Sequence, residues 1–253
     1  MIIGAQLYTV RESTQDLESF SETLKKVADI GYTSVQVSGT CAFDAQWLAD
    51  ELRCNGLICP VTHTQPERVA GETEAVINEH KVFGCGIAGI GGAPGLWEFS
   101  KFDYPGFRDR FLPAADKYRA AGMKMGYHNH HIEFNRVNGS NMLEKLAADF
   151  PADSLTFILD TYWIQYAGGD SAAWIEKLSG RVHCVHLKDF AIADTEQRMA
   201  PVGEGNINFD SVLAACESAG TEYLLVEQDN CYEDDAFDCL KRSYLYLRAK
   251  GLK

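Results

Sequence analysis

The chain has 253 residues, of which 46% are hydrophobic and 23% are charged, a composition typical of a folded globular protein rather than a disordered or fibrous one. Lysine and arginine number 23 against 36 aspartates and glutamates, so the formal net charge is −13. A surface this acidic repels nucleic-acid phosphates and anionic lipids, and no apolar run approaches the roughly 18–20 residues that span a bilayer. We therefore expect neither a nucleic acid nor a membrane as a partner.

The amino-terminal segment M-I-I-G-A-Q-L-Y-T-V-R-E has no basic leader before its apolar residues, so we expect a first strand here rather than a signal peptide. The eight cysteines are scattered, without a C-x-x-C pair. This pattern argues against a zinc knuckle, and we expect most of the thiols to be buried in a protein of a reducing compartment. Together these observations predict a cytoplasmic protein.

Short apolar runs alternate with longer helical stretches along the whole chain. The runs predict eight strands, at residues 2–8, 34–37, 58–62, 86–90, 124–128, 155–159, 182–187 and 223–226. The first helical stretch has four apolar residues at helical spacing, Leu17, Phe20, Leu24 and Val27. Ser13 or Thr14 is the expected cap at its start, and Gly31 is the expected end. Eight strands that are each followed by a helix predict a single (β/α)₈ TIM barrel over residues 1–253.

In such a barrel the active site lies at the carboxyl ends of the strands, and here these ends are rich in metal-binding side chains. The fifth strand ends in Y-H-N-H-H-I-E-F, the sixth in L-D-T-Y-W, the seventh in V-H-L-K-D and the eighth in V-E-Q-D. Asp160, His186 and Glu227 are therefore expected to converge with a ligand from the fifth strand, for which we choose His128 over its neighbours. Nitrogen and oxygen ligands without a thiolate suit a divalent ion such as Mn²⁺, Co²⁺, Fe²⁺, Zn²⁺ or Mg²⁺.

These motifs, together with the loop V-G-E-G-N-I-N-F at residues 202–209, resemble the xylose-isomerase-like barrels of the sugar phosphate isomerase/epimerase superfamily. That group includes ketose 3-epimerases, inosose dehydratases and the more distant endonuclease IV, and the resemblance covers nearly the whole chain. In relatives Glu, Asp, His and Glu at the ends of strands five to eight hold the metal, and the resemblance favours Mn²⁺. Here His128 stands where epimerases have the first Glu.

The departure at His128 bears on the reaction. The resemblance implies that ketose epimerases use two metal-bound glutamates, one on each face of the substrate, and a histidine at one place argues against that symmetric mechanism. Inosose dehydratases are more similar at this strand, because theirs also ends in a cluster of histidines.

Chemistry at such a centre starts with proton abstraction next to a carbonyl, since a divalent ion acidifies that C–H bond and stabilises the enediolate. Our leading hypothesis is a metal-dependent isomerase or epimerase that acts on a sugar or keto-sugar. The alternative is a dehydratase or lyase acting on a keto-sugar or inosose. An endonuclease IV-like nuclease is a third hypothesis, which the charge of −13 argues against, and the intact ligand set argues against a non-catalytic sugar-binding barrel.

We predict catalytic roles for residues at the same strand ends. Glu227 is the predicted base, because a metal-bound carboxylate keeps one oxygen free to face the substrate carbon. His130 or Glu133 is the predicted partner acid. Lys188, two residues after His186 on the same strand face, is predicted to contact a substrate oxygen or the developing enolate.

The substrate is expected to be an unphosphorylated sugar, keto-sugar or cyclitol, because the arginines are too scattered for a phosphate clamp. The residues predicted to bind it are Gln6, His63, Trp163 and Lys188. Self-association into a homo-oligomer stays open at this point.

Overall fold

Eight parallel strands close into a barrel in the computed structural model, which describes residues 1–252. The barrel strands are β1 (Ile2–Gln6), β2 (Ser34–Val37), β3 (Ile58–His63), β4 (Ile87–Ile90), β5 (Lys124–His128), β6 (Leu155–Asp160), β7 (Cys184–Leu187) and β10 (Tyr223–Val226). Each pairs with its neighbours along the chain, and β10 closes the ring against β1 and β7. The predicted (β/α)₈ barrel and its eight strands are confirmed.

Helices follow the barrel strands around the ring. They are α1 (Leu17–Ile30), α2 (Ala45–Cys54), α3 (Pro66–Gly71), α4 (Thr73–Val82), α5 (Tyr104–Ala120), α6 (Met142–Asp149), α7 (Thr161–Tyr166), α8 (Ser171–Lys177), α9 (Phe209–Ala219) and α10 (Ala236–Ala249). Short 3₁₀ helices lie at Leu7–Ser13, Leu96–Lys101 and Ile132–Phe134. Within residues 1–252, no helix combines the length and the apolar character needed to cross a membrane.

The first helix shows how local sequence sets an element boundary. Helix α1 begins after Asp16, whose carboxylate accepts the backbone N–H of Ser19 at 2.8 Å. The predicted caps Ser13 and Thr14 are wrong, because they end the preceding 3₁₀ helix instead. Gly31 ends α1 with a φ of 121°, as the sequence predicts.

A two-stranded antiparallel hairpin interrupts the alternation after β7. It consists of β8 (Asp189–Ala193) and β9 (Glu196–Ala200), and it stands outside the barrel ring. This hairpin was not expected, since the apolar runs predict eight strands only. The eighth strand of the barrel is therefore β10.

Two layers of side chains fill the interior of the barrel near its carboxyl end. The lower layer is apolar and buried, and consists of Val61, Ile87, Ile158, Cys184 and Leu225. Side chains on a strand alternate between its two faces, so residues two positions further along point into the same interior. In this way Ile158 is followed by Asp160 on β6, and Cys184 by His186 on β7. The polar side chains thus stand directly above packed hydrophobic ones.

Candidate metal centre

The four side chains predicted to bind a metal lie together at the carboxyl end of the barrel and are all buried, namely His128, Asp160, His186 and Glu227. One nitrogen or oxygen from each lies within 4.8 Å of those of the other three. Ligand atoms that each sit about 2.0–2.2 Å from one ion are themselves about 3–4.4 Å apart. This buried His/Asp/His/Glu cluster could therefore hold a metal ion.

The backbone places each carboxylate so that one oxygen is held by the protein and the other faces the cluster. Asp160 ends β6 and pairs with His186 in the register between β6 and β7. Its Oδ1 accepts the N–H of Trp163 at 2.9 Å and so caps helix α7. Glu227 Oε1 accepts the side-chain amide of Gln6 at 2.9 Å. Asp160 Oδ2 and Glu227 Oε2 remain as the candidate ligand oxygens.

The histidine of β7 is oriented by a partner on the far side of its ring. His186 Nε2 lies 2.6 Å from Gln36 Oε1, and because that oxygen can only accept, Nε2 carries the proton. Nδ1 then has a free lone pair, 2.9 Å from Glu227 Oε2. Both atoms are buried without a hydrogen-bond partner in the described chain. A cation bound to both would relieve this lone-pair repulsion, so the site fits a metal, with Gln36 as the outer partner that orients a ligand.

Electrostatics keeps three of the candidate ligands, Glu227, Asp160 and His128, in the protonation states that metal binding requires. Burial by itself would raise the pKa of Glu227, but the neighbouring Lys188 ammonium holds it well below its usual value. Burial likewise opposes ionisation of Asp160, and Lys188 and His128 lower its pKa nonetheless. Burial lowers the pKa of His128, so its imidazole is neutral.

Lys188 is an integral part of this cluster. Its side chain is 1% exposed. Its Nζ lies 3.1 Å from Asp160 Oδ2 and 3.0 Å from Glu227 Oε2, the two candidate ligand oxygens. A third carboxylate, that of Asp229, accepts a hydrogen bond from Nζ at 3.0 Å. The ammonium is therefore shared by three carboxylates and compensates one of their three negative charges.

A cavity of about 670 Å³ opens above the cluster, within the size range of small-molecule sites. All four residues predicted to bind substrate line it, namely Gln6, His63, Trp163 and Lys188, and so does His130. His63 Nε2 is buried without a hydrogen-bond partner in the described residues. Its Nδ1 lies 3.2 Å from the hydroxyl of Ser38, which orients the ring. Trp97 also lines the cavity, and at 63% exposure it forms the rim.

The two residues predicted as the partner acid are placed differently. Glu133 is fully buried and is not among the residues lining the cavity. Its carboxylate accepts the backbone N–H of His130 at 2.9 Å and the hydroxyl of Tyr127 at 3.0 Å. The prediction that Glu133 meets the substrate is therefore corrected: it anchors the loop that carries His130. Burial lowers the pKa of His130 to about 3, so its imidazole is neutral.

One residue of this site was missed at the sequence level. Asp229 lines the cavity and contacts Lys188. It follows Glu227 by two positions in the motif V-E-Q-D, and this spacing was the available signal for a second inward carboxylate.

Asp189, which follows Lys188, has a structural role. Its buried carboxylate accepts four backbone N–H groups, those of Phe190, Gly203, Gly205 and Ile207, at 2.8–3.2 Å. A side chain at Gly205 would collide with that carboxylate, since an added Cβ would lie 2.3 Å from its Oδ1. The loop V-G-E-G-N-I-N-F is thus folded around the carboxylate of Asp189, the last residue of the motif V-H-L-K-D. The conformation of the loop therefore depends on that motif.

A family model described as "Xylose isomerase-like TIM barrel" matches residues 24–243. A sugar phosphate isomerase/epimerase from Parabacteroides distasonis ATCC 8503 superposes with a TM-score of 0.80 at 20% identity, over 98% of this chain and 93% of that one. None of the curated proteins matches the chain by sequence.

Two further solved structures carry different activities on the same fold. The probable 3-DHS dehydratase AsbF from Bacillus anthracis, described as involved in petrobactin synthesis, has a TM-score of 0.73 at 17% identity, over 98% of this chain and 99% of that one. An L-ribulose 3-epimerase has a TM-score of 0.73 at 16% identity, over 98% and 94% of the respective chains. At these identities the likeness concerns the fold. Because the family model spans most of its length, the chain belongs to the xylose isomerase-like TIM barrel family.

Proposed function

We propose that this protein is a divalent-metal-dependent enzyme that abstracts a proton next to the carbonyl of a sugar or keto-sugar. The observation that supports this most is the unpartnered Nδ1 of His186, buried at the base of a ligand-sized cavity, which faces Glu227 Oε2 at 2.9 Å. His128 and Asp160 complete the proposed ligand set. When bound, the ion would polarise a carbonyl and an adjacent hydroxyl of the substrate. Mn²⁺ is our first choice, and Co²⁺, Fe²⁺, Zn²⁺ and Mg²⁺ suit the same ligands.

Glu227 is the proposed base. Its Oε2 faces the metal centre, while its Oε1 is oriented by the amide of Gln6 and keeps a second lone pair for a proton. The nearby ammonium of Lys188 weakens this base by lowering its pKa. A substrate oxygen that drew Lys188 away from Glu227 would strengthen the base at the moment of reaction and stabilise the developing enolate.

The neutral histidines of the cavity are proposed to handle the remaining polar groups. His130 is neutral, so its ring can accept a proton or donate its N–H to a substrate hydroxyl. The unpartnered Nε2 of His63 is available for a second hydroxyl. Trp163 offers an apolar face to the C–H groups of a sugar ring.

A reaction with a single carboxylate base is what this site supports best. Of the two carboxylates in the ligand set, Asp160 uses its second oxygen to cap α7, and only Glu227 has an oxygen held by a side chain that could yield. His128 stands where a second glutamate would be needed for symmetric epimerisation. This argues against symmetric epimerisation and makes aldose–ketose isomerisation our first candidate, with elimination by a dehydratase or lyase as the second.

The charges around the cavity favour an unphosphorylated substrate. Among its lining residues in the described chain, the one lysine or arginine is Lys188, and three carboxylates already neutralise it. A phosphate group would therefore find no available cation there. We further propose a cytoplasmic location, in line with eight free cysteines.

The test is proton NMR in D₂O on a panel of ketoses, 3-keto-sugars and inososes, with Mn²⁺ or with a chelator. Metal-dependent deuterium entry next to the carbonyl without loss of water supports an isomerase or epimerase. Metal-dependent loss of a substituent supports the dehydratase or lyase. Metal-dependent cleavage of an abasic-site duplex, with no exchange on any sugar, would contradict the proposal in favour of a nuclease.

A further inference from the structure

The ammonium of Lys188 and a divalent ion would use the same two oxygens. Nζ lies 3.1 Å from Asp160 Oδ2 and 3.0 Å from Glu227 Oε2, and these are the oxygens that face the candidate ligand nitrogens of His128 and His186. The hydrogen bond of Lys188, however, goes to Asp229 Oδ2, at 3.0 Å. Its contacts with Asp160 and Glu227 are thus contacts between charges, which a stronger cation can replace without breaking that hydrogen bond.

The charge balance of this group is incomplete without another cation. Three carboxylates surround one ammonium, and those of Asp160 and Glu227 are at most 4% exposed. In formal charge, three carboxylates against one ammonium leave two negative charges in excess, which is the charge that one divalent ion would neutralise. Burial of unpaired charge costs free energy. In the metal-free protein Lys188 therefore reduces the destabilisation that these buried carboxylates would cause.

Asp229 is placed to retain the lysine after a metal arrives. Its side chain is 25% exposed at the cavity wall, whereas Asp160 and Glu227 lie beneath it. Both of its oxygens lie within 3.0 Å of Nζ. A shift of Lys188 toward Asp229 would take the ammonium away from the ion without leaving it unpaired.

We propose that Lys188 is a built-in cation that neutralises Asp160 and Glu227 in the metal-free protein and yields these carboxylates to the divalent ion, with Asp229 as its alternative partner. This inference rests on the proposed metal centre. It makes Lys188 and Asp229 positioning residues that set metal affinity, in addition to any contact of Lys188 with the substrate.

The first test compares Mn²⁺ binding by calorimetry in chelator-stripped wild-type protein and Lys188→Met, which keeps an apolar stem and loses the charge. The variant should bind Mn²⁺ about tenfold or more tightly, because the competing positive charge is gone. In chelator its Tm should fall, and saturating Mn²⁺ should raise the Tm more than in the wild type. Equal or weaker Mn²⁺ affinity in Lys188→Met would overturn the inference.

The second test uses Asp229→Asn, which preserves the shape of the side chain and protects the conclusion if Lys188→Met folds poorly. Mn²⁺ affinity should fall by about tenfold, in the range seen for outer partners of metal sites, because Lys188 loses its alternative partner. Glu67→Gln is the matched control, since Glu67 also lines the cavity but is not among the ion-pair partners of Lys188. An equal loss in Glu67→Gln would reduce the effect to general charge and overturn the role of Asp229.

The outcomes separate the two proposals. If neither the wild type nor Lys188→Met binds Mn²⁺, the proposed metal centre is wrong and the inference falls with it. If both bind with equal affinity, the metal centre stands and the inference alone fails.

Discussion

Two layers of the barrel interior, separated by two residues on the same strands, differ completely in chemistry. The lower layer includes Ile158, Cys184 and Leu225, and the upper layer Asp160, His186 and Glu227. Both layers are buried, and both are aimed inward by the same strand geometry. The lower layer stabilises the barrel by burying apolar surface. The upper layer concentrates charge in a place where charge is costly.

The two layers have different roles: the apolar layer holds the strands together, and the polar layer forms the candidate metal centre. The packed apolar layer fixes the positions of the strand ends. It thereby also fixes the polar residues that lie two positions further along the same strands. The cost of the polar layer is reduced by specific partners, such as Gln36 for His186, Gln6 for Glu227 and Lys188 for the carboxylates. Substitutions in the apolar layer should therefore lower the stability of the fold, whereas substitutions in the polar layer should lower metal binding and activity.

The largest effect is expected at Asp160. Asp160→Asn should lose stoichiometric metal and reduce deuterium exchange on the substrate by about a thousandfold or more, because a charged ligand of the ion is gone. The matched control is Ile158→Val, two residues below, which should cost about 0.5–1.5 kcal/mol of unfolding free energy and keep one metal per chain. Metal analysis of both proteins checks the prediction. Full metal occupancy in Asp160→Asn would refute the ligand assignment.

A smaller kinetic effect is expected at the proposed base. Because Glu227 is also a proposed ligand, Glu227→Gln is assayed at Mn²⁺ concentrations that restore one metal per chain, and the rate of deuterium exchange should then fall by about 10²–10⁴-fold, the usual contribution of a general base. The amide can still meet Gln6, so the fold should persist by circular dichroism. Exchange at the wild-type rate in this variant would mean that another residue removes the proton.

In the apolar layer the effect should appear in stability alone. Leu225→Ala should lower the free energy of unfolding by about 2–5 kcal/mol, through lost burial and a residual cavity. The folded fraction should still bind one metal with near wild-type affinity, since Leu225 is not a proposed ligand and affects the centre only by positioning Glu227. Urea denaturation and calorimetry test this. A loss of metal binding as complete as that of Asp160→Asn would show that the two layers are not separable.

The smallest effect is a pH dependence set by Glu133. Burial raises its pKa from 4.5 to about 7, so between these values the folded protein keeps a proton that the unfolded chain has lost. The contribution of Glu133 to the free energy of unfolding therefore falls as the pH rises from about 4.5 to 7, and is constant above that. The difference between wild type and Glu133→Gln, measured by urea denaturation, should follow this curve. A difference that is flat over this range would show that Glu133 ionises normally.

Much of this site could be predicted from sequence, because strand ends in a parallel barrel meet at one place. Once β5, β6, β7 and β10 were recognised by their apolar runs, His128, Asp160, His186 and Glu227 were bound to converge. The same logic brought His63 and Lys188 to the cavity. Such predictions need only the register of a strand, which is a local property.

The failures concern contacts that depend on loops. Glutamate is a common residue type in catalytic sites, but the turn after β5 directs the carboxylate of Glu133 toward Tyr127 and the backbone of His130. In the hairpin, β9 (E-Q-R-M-A) has no apolar run to mark it, and the short F-A-I-A run of β8 is separated from the end of β7 by two residues. The pairing of Lys188 with Asp229 joins residues 41 positions apart, and its geometry depends on how two strand ends approach each other.

One divalent ion is proposed to bind the four side chains at the base of the cavity. Anomalous diffraction at the manganese edge, from crystals grown with Mn²⁺, would locate that ion. We expect one strong peak per chain, in contact with His128, Asp160, His186 and Glu227, with Lys188 turned toward Asp229. A map without a peak among these four side chains, from crystals saturated with Mn²⁺, would contradict it.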